Sequence, residues 1–316
     1  MTDTHSPPVL PAAAPSLVRF AWLSIAAAVA TIALKSGAYL LTGSVGLLSD
    51  AAESLVNLVA ALVALAALIV ARRPADADHH YGHGKAEYFS AGIEGVMIFV
   101  AAAVILYTSV DRFLHPAPLE NLGVGLLVST VAAVLNGAVG GALLRAGRAH
   151  RSATLVADGK HLLTDVWTSI GVIVGVLLVG LTGWERLDPV VAAAVGLNIL
   201  VTGWRLVAQS GRSLLDAALP HEDLDVVRRV LDGFRSPYVD FHGLQTREAG
   251  RYRFVAVHVL VPGEWTVQQG HDVVEKVEQA IRAALPDTTV QTHLEPREDE
   301  RAYGDHAWDG SRDGLG

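Results

Sequence analysis

The chain has 316 residues, 51% of them hydrophobic, and no cysteine, so disulfide frameworks and thiolate metal chemistry are excluded and any metal must be held by His, Asp, Glu or Asn. The formal net charge is −8, and residues 212–316 carry 12 Lys and Arg against 19 Asp and Glu, a balance that excludes a nucleic-acid partner. Nearly all long apolar runs end by about Val207, which divides the chain into an apolar part and a soluble one.

Residues 1–15, rich in Pro, Ser, Thr and Ala without a cationic cluster, read as a disordered cytoplasmic tail rather than a signal peptide. Residues 16–210 hold six runs of the roughly 20 apolar residues that a membrane helix needs. The first, Leu17 to Leu41, is broken by Lys35, which is expected to snorkel toward an interface. The second, Leu47 to Ala71, stops at Arg72-Arg73-Pro74 and a polar loop. The third covers about Tyr88 to Val110. The fourth, about Leu119 to Leu144, has Gly137 and Gly141 at a small-xxx-small spacing that predicts close helix approach. The fifth runs to about Thr182 and the sixth from about Leu187 to Val207, with Trp184 and Trp204 as interfacial anchors. Arg72, Arg73 and Lys85 lie in one alternate loop and Arg145, Arg148 and Arg151 in the next, so both termini of this multi-pass membrane chain are expected in the cytoplasm.

After Pro220 the period changes. His221 to Leu231 and Val267 to Leu285 have helical spacing, while Tyr238 to Gln245, Tyr252 to Val261 and Thr289 to Leu294 read as strands. Residues 211–296 therefore form an α+β domain of order αββαβ, and 297–316 a charged tail expected to be disordered.

Two of the apolar runs carry polar residues four apart. Glu53 and Asn57 share a face of the second, His161 and Asp165 a face of the fifth. A carboxylate and an imidazole in a membrane-length segment are costly unless something pairs with them, and these four donors suit a borderline divalent ion such as Zn(II), with Fe(II), Co(II), Ni(II) or Mn(II) as competitors. Asp50, one turn before Glu53, is either a helix-mouth carboxylate or a ligand in its place. The loop Asp76-x2-His79-x3-His83 also has ligand spacing, though its polarity and the neighbouring His80 leave an ordinary loop equally open. Gly82-His-Gly-Lys85 is no phosphate loop, because the earlier Gly is missing and Ala86 stands where Ser or Thr would hold magnesium. In the soluble part His242, His258, His271 and His293, with Glu295, could converge only if the fold brings them together, which spacing does not show.

Over about Leu17 to Pro296 the chain resembles the cation diffusion facilitator family of metal/proton antiporters. The resemblance rests on Gly43-Ser-Val-Gly-Leu-Leu-Ser-Asp50, Tyr81-Gly-His-Gly-Lys-Ala-Glu87, His161-x3-Asp165 and Ser213-Leu-Leu-Asp-Ala-Ala-Leu-Pro220. It implies a homodimer in a bacterial inner membrane, with an all-α six-helix transmembrane domain and a C-terminal cytoplasmic α+β domain of ferredoxin- or metallochaperone-like fold. It also implies a transport site at Glu53, Asn57, His161 and Asp165 and a loop site at Asp76, His79 and His83. A two-ion cytoplasmic site falls on His242, His258, His271, His293 and Glu295, and a charge interlock between subunits on Lys85 and Asp216. The chain departs from the family's zinc carriers in having Glu53 and Asn57 where those usually show His or Asp and then Asp, and Glu295 where they have Asp.

The expected function is export of a divalent cation from the cytoplasm in exchange for protons. The alternative is a membrane-anchored metal sensor that does not transport. An enzyme is not expected: His221-Glu222 lacks the second histidine of a zinc-protease helix, since Asp225 occupies that place.

Overall fold

The computed structural model describes residues 17–42, 45–115, 122–184 and 186–303, and it leaves the side chains of 45–53 and of some other helical positions undescribed. Two units divide at Leu214. The first is built from α1 (Val18–Thr42), α2 (Val45–Ala71), α3 (Ala86–Leu114), α4 (Leu122–Ala149), α5 (Ala153–Thr182) and α6 (Leu187–Leu214). Among the described residues, four stretches are long and apolar enough to cross a membrane: Val18–Leu40, Ala86–Leu114, Leu127–Ala149 and Pro189–Leu214. The six spans read from the sequence correspond to six long helices, and the described part of α2 adds a shorter apolar stretch, Asn57–Ala71.

α3 packs on α6 and α5, α4 on α5 and α1, and α2 on α1, α3 and α5. Glycines set the closest approaches, though not those expected. A Cβ on Gly147 would meet Val156 N at 2.8 Å, and one on Gly140 the Gly159 carbonyl at 3.1 Å. Gly141 has nothing within 4 Å, and Gly137 makes only ordinary contact with Val166. The face of α4 turned to α5 thus runs through Gly140 and Gly147, two turns apart on one side of the helix.

The second unit has the order α7 (His221–Phe234), β1 (Asp240–Ala249), β2 (Tyr252–Val261), α8 (Val267–Ala284) and β3 (Thr288–Pro296), the αββαβ arrangement read from the sequence. β2 is central, antiparallel to β1 and parallel to β3. Val255, Val257 and Val259 face one way and pack with Val227 and Leu231 of α7 and Val277 and Ile281 of α8; the alternate residues lie on the other face. Thr266 and Gln269 form a capping box at the start of α8. Order continues past residue 297: Arg297 N donates to Val261 O, and a 3-10 turn spans Glu300–Tyr303 with Ala302 buried. The charged tail expected to be disordered from 297 is thus ordered to Tyr303, because Arg297 continues the hydrogen bonding of β3 to β2 and Tyr303 Oη donates back to Arg297 O at 3.1 Å.

Candidate metal centres

In the helical unit, α2 and α5 bring Asn57, His161 and Asp165 together. Asn57 and His161 are each 6% exposed. His161 Nε2 lies 2.7 Å from Asn57 Oδ1, while Asn57 Nδ2 donates to Asp165 Oδ2. The amide therefore bridges imidazole and carboxylate, so the i, i+4 pair of α5 meets Asn57 of α2. Asp50 and Glu53 lie on α2 in the stretch whose side chains fall outside the described residues. Two further residues complete the surroundings of Asp165. Asn136 of α4, buried at 6%, donates to Asp165 Oδ2 at 3.1 Å. Lys35 of α1, expected to snorkel, is half-buried instead and interacts electrostatically with Asp165. Asn136 was missed by the sequence reading, although the only side-chain amide in α4 was a signal available there.

Between α2 and α3, Asp76 accepts from His79 Nδ1 at 3.1 Å and stands 3.4 Å from His83 Nε2. The imidazoles are 4.4 Å apart between centroids, and the potential ligand atoms of all three residues lie within 4.8 Å of one another. Desolvation pushes the Asp76 carboxyl upward, but hydrogen bonds from the His79 backbone and ring and from Asp78 N outweigh it and hold Asp76 below the ordinary carboxylate value. It is an ionised, imidazole-flanked carboxylate, and His83 Nδ1 is buried without a hydrogen-bond partner. Just beyond, Lys85 donates to Leu214 O at 3.3 Å.

On the open face of the sheet, the strand register places three histidines in one row: His242 pairs with His258, and His258 with His293. Glu295, two residues along β3, shares their face. His242 Nε2 and His258 Nδ1 lie 2.8 and 3.1 Å from the same Glu295 oxygen, Oε2. Desolvation raises the Glu295 carboxyl, yet the bonds and charges of His242 and His258 win and leave it below its ordinary value. The ligand atoms of His242, His258 and Glu295 fall within 4.8 Å, a three-donor cradle. His293 is exposed, its ring 4.9 Å from that of His258. His271 is not brought to this group: it is exposed on α8, which covers the opposite face of the sheet. Asp216, named with Lys85 as an interlock, accepts from Arg247 Nη1 at 3.3 Å.

These three clusters offer imidazole nitrogen with carboxylate or amide oxygen, donor sets suited to borderline divalent ions. Two family models cover the helical unit and the sheet unit. The cation efflux transmembrane domain matches residues 21–215, and the cation efflux protein cytoplasmic domain matches residues 219–297. The uncharacterized transporter sll1263 of Synechocystis sp. is 51% identical over 284 residues, covering 90% of this chain and 92% of the relative. The cation-efflux pump FieF of Klebsiella pneumoniae is 32% identical over 281 residues, covering 88% and 92%. Among solved structures, the metal-bound C-terminal domain of the CzcD transporter from Thermotoga maritima is 24% identical, covering 26% of this chain and 99% of that chain, with a TM-score of 0.24. This chain is a member of the cation efflux, or cation diffusion facilitator, family of transporters.

Proposed function

We propose that the chain exports a divalent cation from the cytoplasm in exchange for protons, Zn(II) foremost and Fe(II), Co(II) or Ni(II) after it, by alternating access about Glu53, Asn57, His161 and Asp165 in a homodimer. The observation that carries this reading is the bridge of Asn57 between His161 and Asp165 across two helices of the membrane domain. A cation that displaced this hydrogen-bonded chain would take Asn57 Oδ1, His161 Nε2 and Asp165 Oδ2 as donors. Imidazole and carboxylate coordinate in their deprotonated forms, so filling the site releases protons and their return expels the ion. An imidazole among the donors favours zinc, iron, cobalt and nickel over manganese and calcium. Asn57 in place of a carboxylate leaves the cage one negative charge poorer, which weakens its hold and eases release.

In this reading Asp76, His79 and His83 take up an ion beside the membrane domain. His242, His258, His293 and Glu295 bind cytoplasmic ions that bias the dimer, and Lys85 and Asp216 interlock the subunits. That bias is limited by the differential affinity of the ion for the two states. The test is zinc uptake into inside-out vesicles against a pH gradient. Asp165→Ala is expected to abolish uptake while zinc binding at the sheet-face cluster persists. Uptake equal to the parent's sinks the membrane site, and saturable binding without flux in the parent supports the sensor instead.

A further inference from the structure

Two acidic side chains of the helical unit stand outside the Asn57, His161 and Asp165 cluster. Glu94 on α3 is 0% exposed and Asp158 on α5 is 1% exposed. Ser90 Oγ donates to Glu94 Oε1 at 3.3 Å, and the buried Ser24 of α1 donates through Oγ to Asp158 Oδ1 at 3.0 Å. The remaining oxygens, Glu94 Oε2 and Asp158 Oδ2, are buried with no hydrogen-bond partner. The two carboxylates lie within electrostatic reach of each other, and Asp158 within reach of His161. Among the described residues, no lysine or arginine balances either one. Hydrogen-bond orphans are costly in an apolar interior, and two buried acids within electrostatic reach of each other are more so unless a cation or protons neutralise them.

Position adds to the argument. Asp158, His161 and Asp165 stand at i, i+3 and i+7 of α5 and share one face, with Asp158 roughly 10 Å of helix rise nearer the N-terminal end than Asp165. Glu94 sits in the first third of α3, which packs against α5. The N-terminal ends of α3 and α5 adjoin the loops that the positive-inside rule assigns to the cytoplasm.

We infer that Glu94 and Asp158, with the hydroxyls of Ser24 and Ser90, form a second divalent-cation subsite, made wholly of oxygen donors, that holds the ion on its way between the cytoplasmic end of α5 and His161. The inference rests on the reading of the helical unit as a transport path. Its donor set is that of a hard or borderline cation, and unlike an imidazole site it accepts Mn(II) readily. Mn(II) is therefore the probe. It is counted per chain at equilibrium by electron paramagnetic resonance on the full-length protein in nanodiscs, in the parent and in Glu94→Gln, Asp158→Asn, Glu94→Asp and Asp165→Asn.

Glu94→Gln and Asp158→Asn are each expected to lose one bound Mn(II) and to raise the half-saturating metal for uptake about tenfold. Glu94→Asp keeps the carboxylate and retains the ion. If parent and Glu94→Gln bind the same number of ions, or if Glu94→Asp loses the ion as fully as Glu94→Gln while remaining monodisperse, coordination is not the role of the pair and the inference falls. Failure of the transport reading looks different: Asp165→Asn would carry zinc like the parent while the Glu94-dependent Mn(II) is still bound.

Discussion

Asp165 accepts hydrogen bonds from two amides, and the second, Asn136, comes from α4, a third helix beside α2 and α5. An amide donor in that place fixes the carboxylate without adding charge. It holds Oδ2 beside the Asn57 amide. Asn136→Ala removes the support and leaves the ligands in place, and partners of this kind typically carry roughly 10- to 100-fold in metal affinity. The expected outcome is a rise of that order in the half-saturating zinc for vesicle uptake, with the maximal rate reduced far less. An unchanged half-saturation would mean that Asp165 is held by Asn57 alone.

Glu295 makes a residue-level prediction about pH. Its carboxyl is held below the ordinary glutamate value in the fold, by His242 and His258 against the opposing effect of burial. A depressed carboxyl contributes stability that is present above the unfolded value and lost as pH falls through the lower, folded one. Urea unfolding of the cytoplasmic unit in the metal-free chain should therefore show a stability loss below about pH 4.5 that Glu295→Gln flattens. Equal acid sensitivity in both would sink the assignment.

Elements decide what single residues cannot. β1 carries one extra residue between His242 and Gln245, and Gly243 within it takes φ 60°. Counted back from the hairpin pair Ala249 and Tyr252 without that bulge, His242 would fall opposite Val259 and point at the helices. The bulge moves it opposite His258 on the open face, because a one-residue slip exchanges the faces of a strand. The strands themselves were legible from alternation. Their register was not, so the row of histidines could be named from the sequence but not assembled. The meeting of Asn57 on α2 with the i, i+4 pair on α5 was legible for the converse reason: helical spacing fixes a face locally, and membrane polarity demands a partner. Asn136 and the buried pair Glu94 and Asp158 escaped because nothing local says which helix they meet.

Helix approach follows the same logic. Gly147→Ala on α4 would place a methyl group 2.8 Å from the Val156 backbone nitrogen, which cannot swing aside as a side chain end could. It is expected to destabilise the helical unit by about 1–3 kcal/mol. Gly141→Ala meets open space and removes a flexible glycine from a helix, so it should leave stability level or raise it by up to about 1 kcal/mol. Thermal unfolding of the two variants in detergent distinguishes this pattern from the reverse, which the spacing of Gly137 and Gly141 alone would have suggested.

At the scale of the whole molecule, direction across the membrane decides whether the family's chemistry amounts to export. Three of the basic residues that set it, Arg72, Arg73 and Lys85, stand around the loop that holds Asp76, His79 and His83. α3 then runs from that loop to His115, exposed at its other end. If the loop faces the cytoplasm, then its ionised carboxylate and two imidazoles meet the ion before the membrane site does, and His115 faces outward. The chain has no cysteine, so a single introduced thiol reports without background. Asp78→Cys and His115→Cys lie at opposite ends of α3, both exposed and outside the proposed ligand sets. In inside-out vesicles a membrane-impermeant maleimide should label Asp78→Cys and spare His115→Cys, and right-side-out vesicles should give the opposite result. Reversed labelling would turn the loop site to the exterior and make the ion's first contact an exit, and labelling of both from one side would mean that α3 does not cross the membrane.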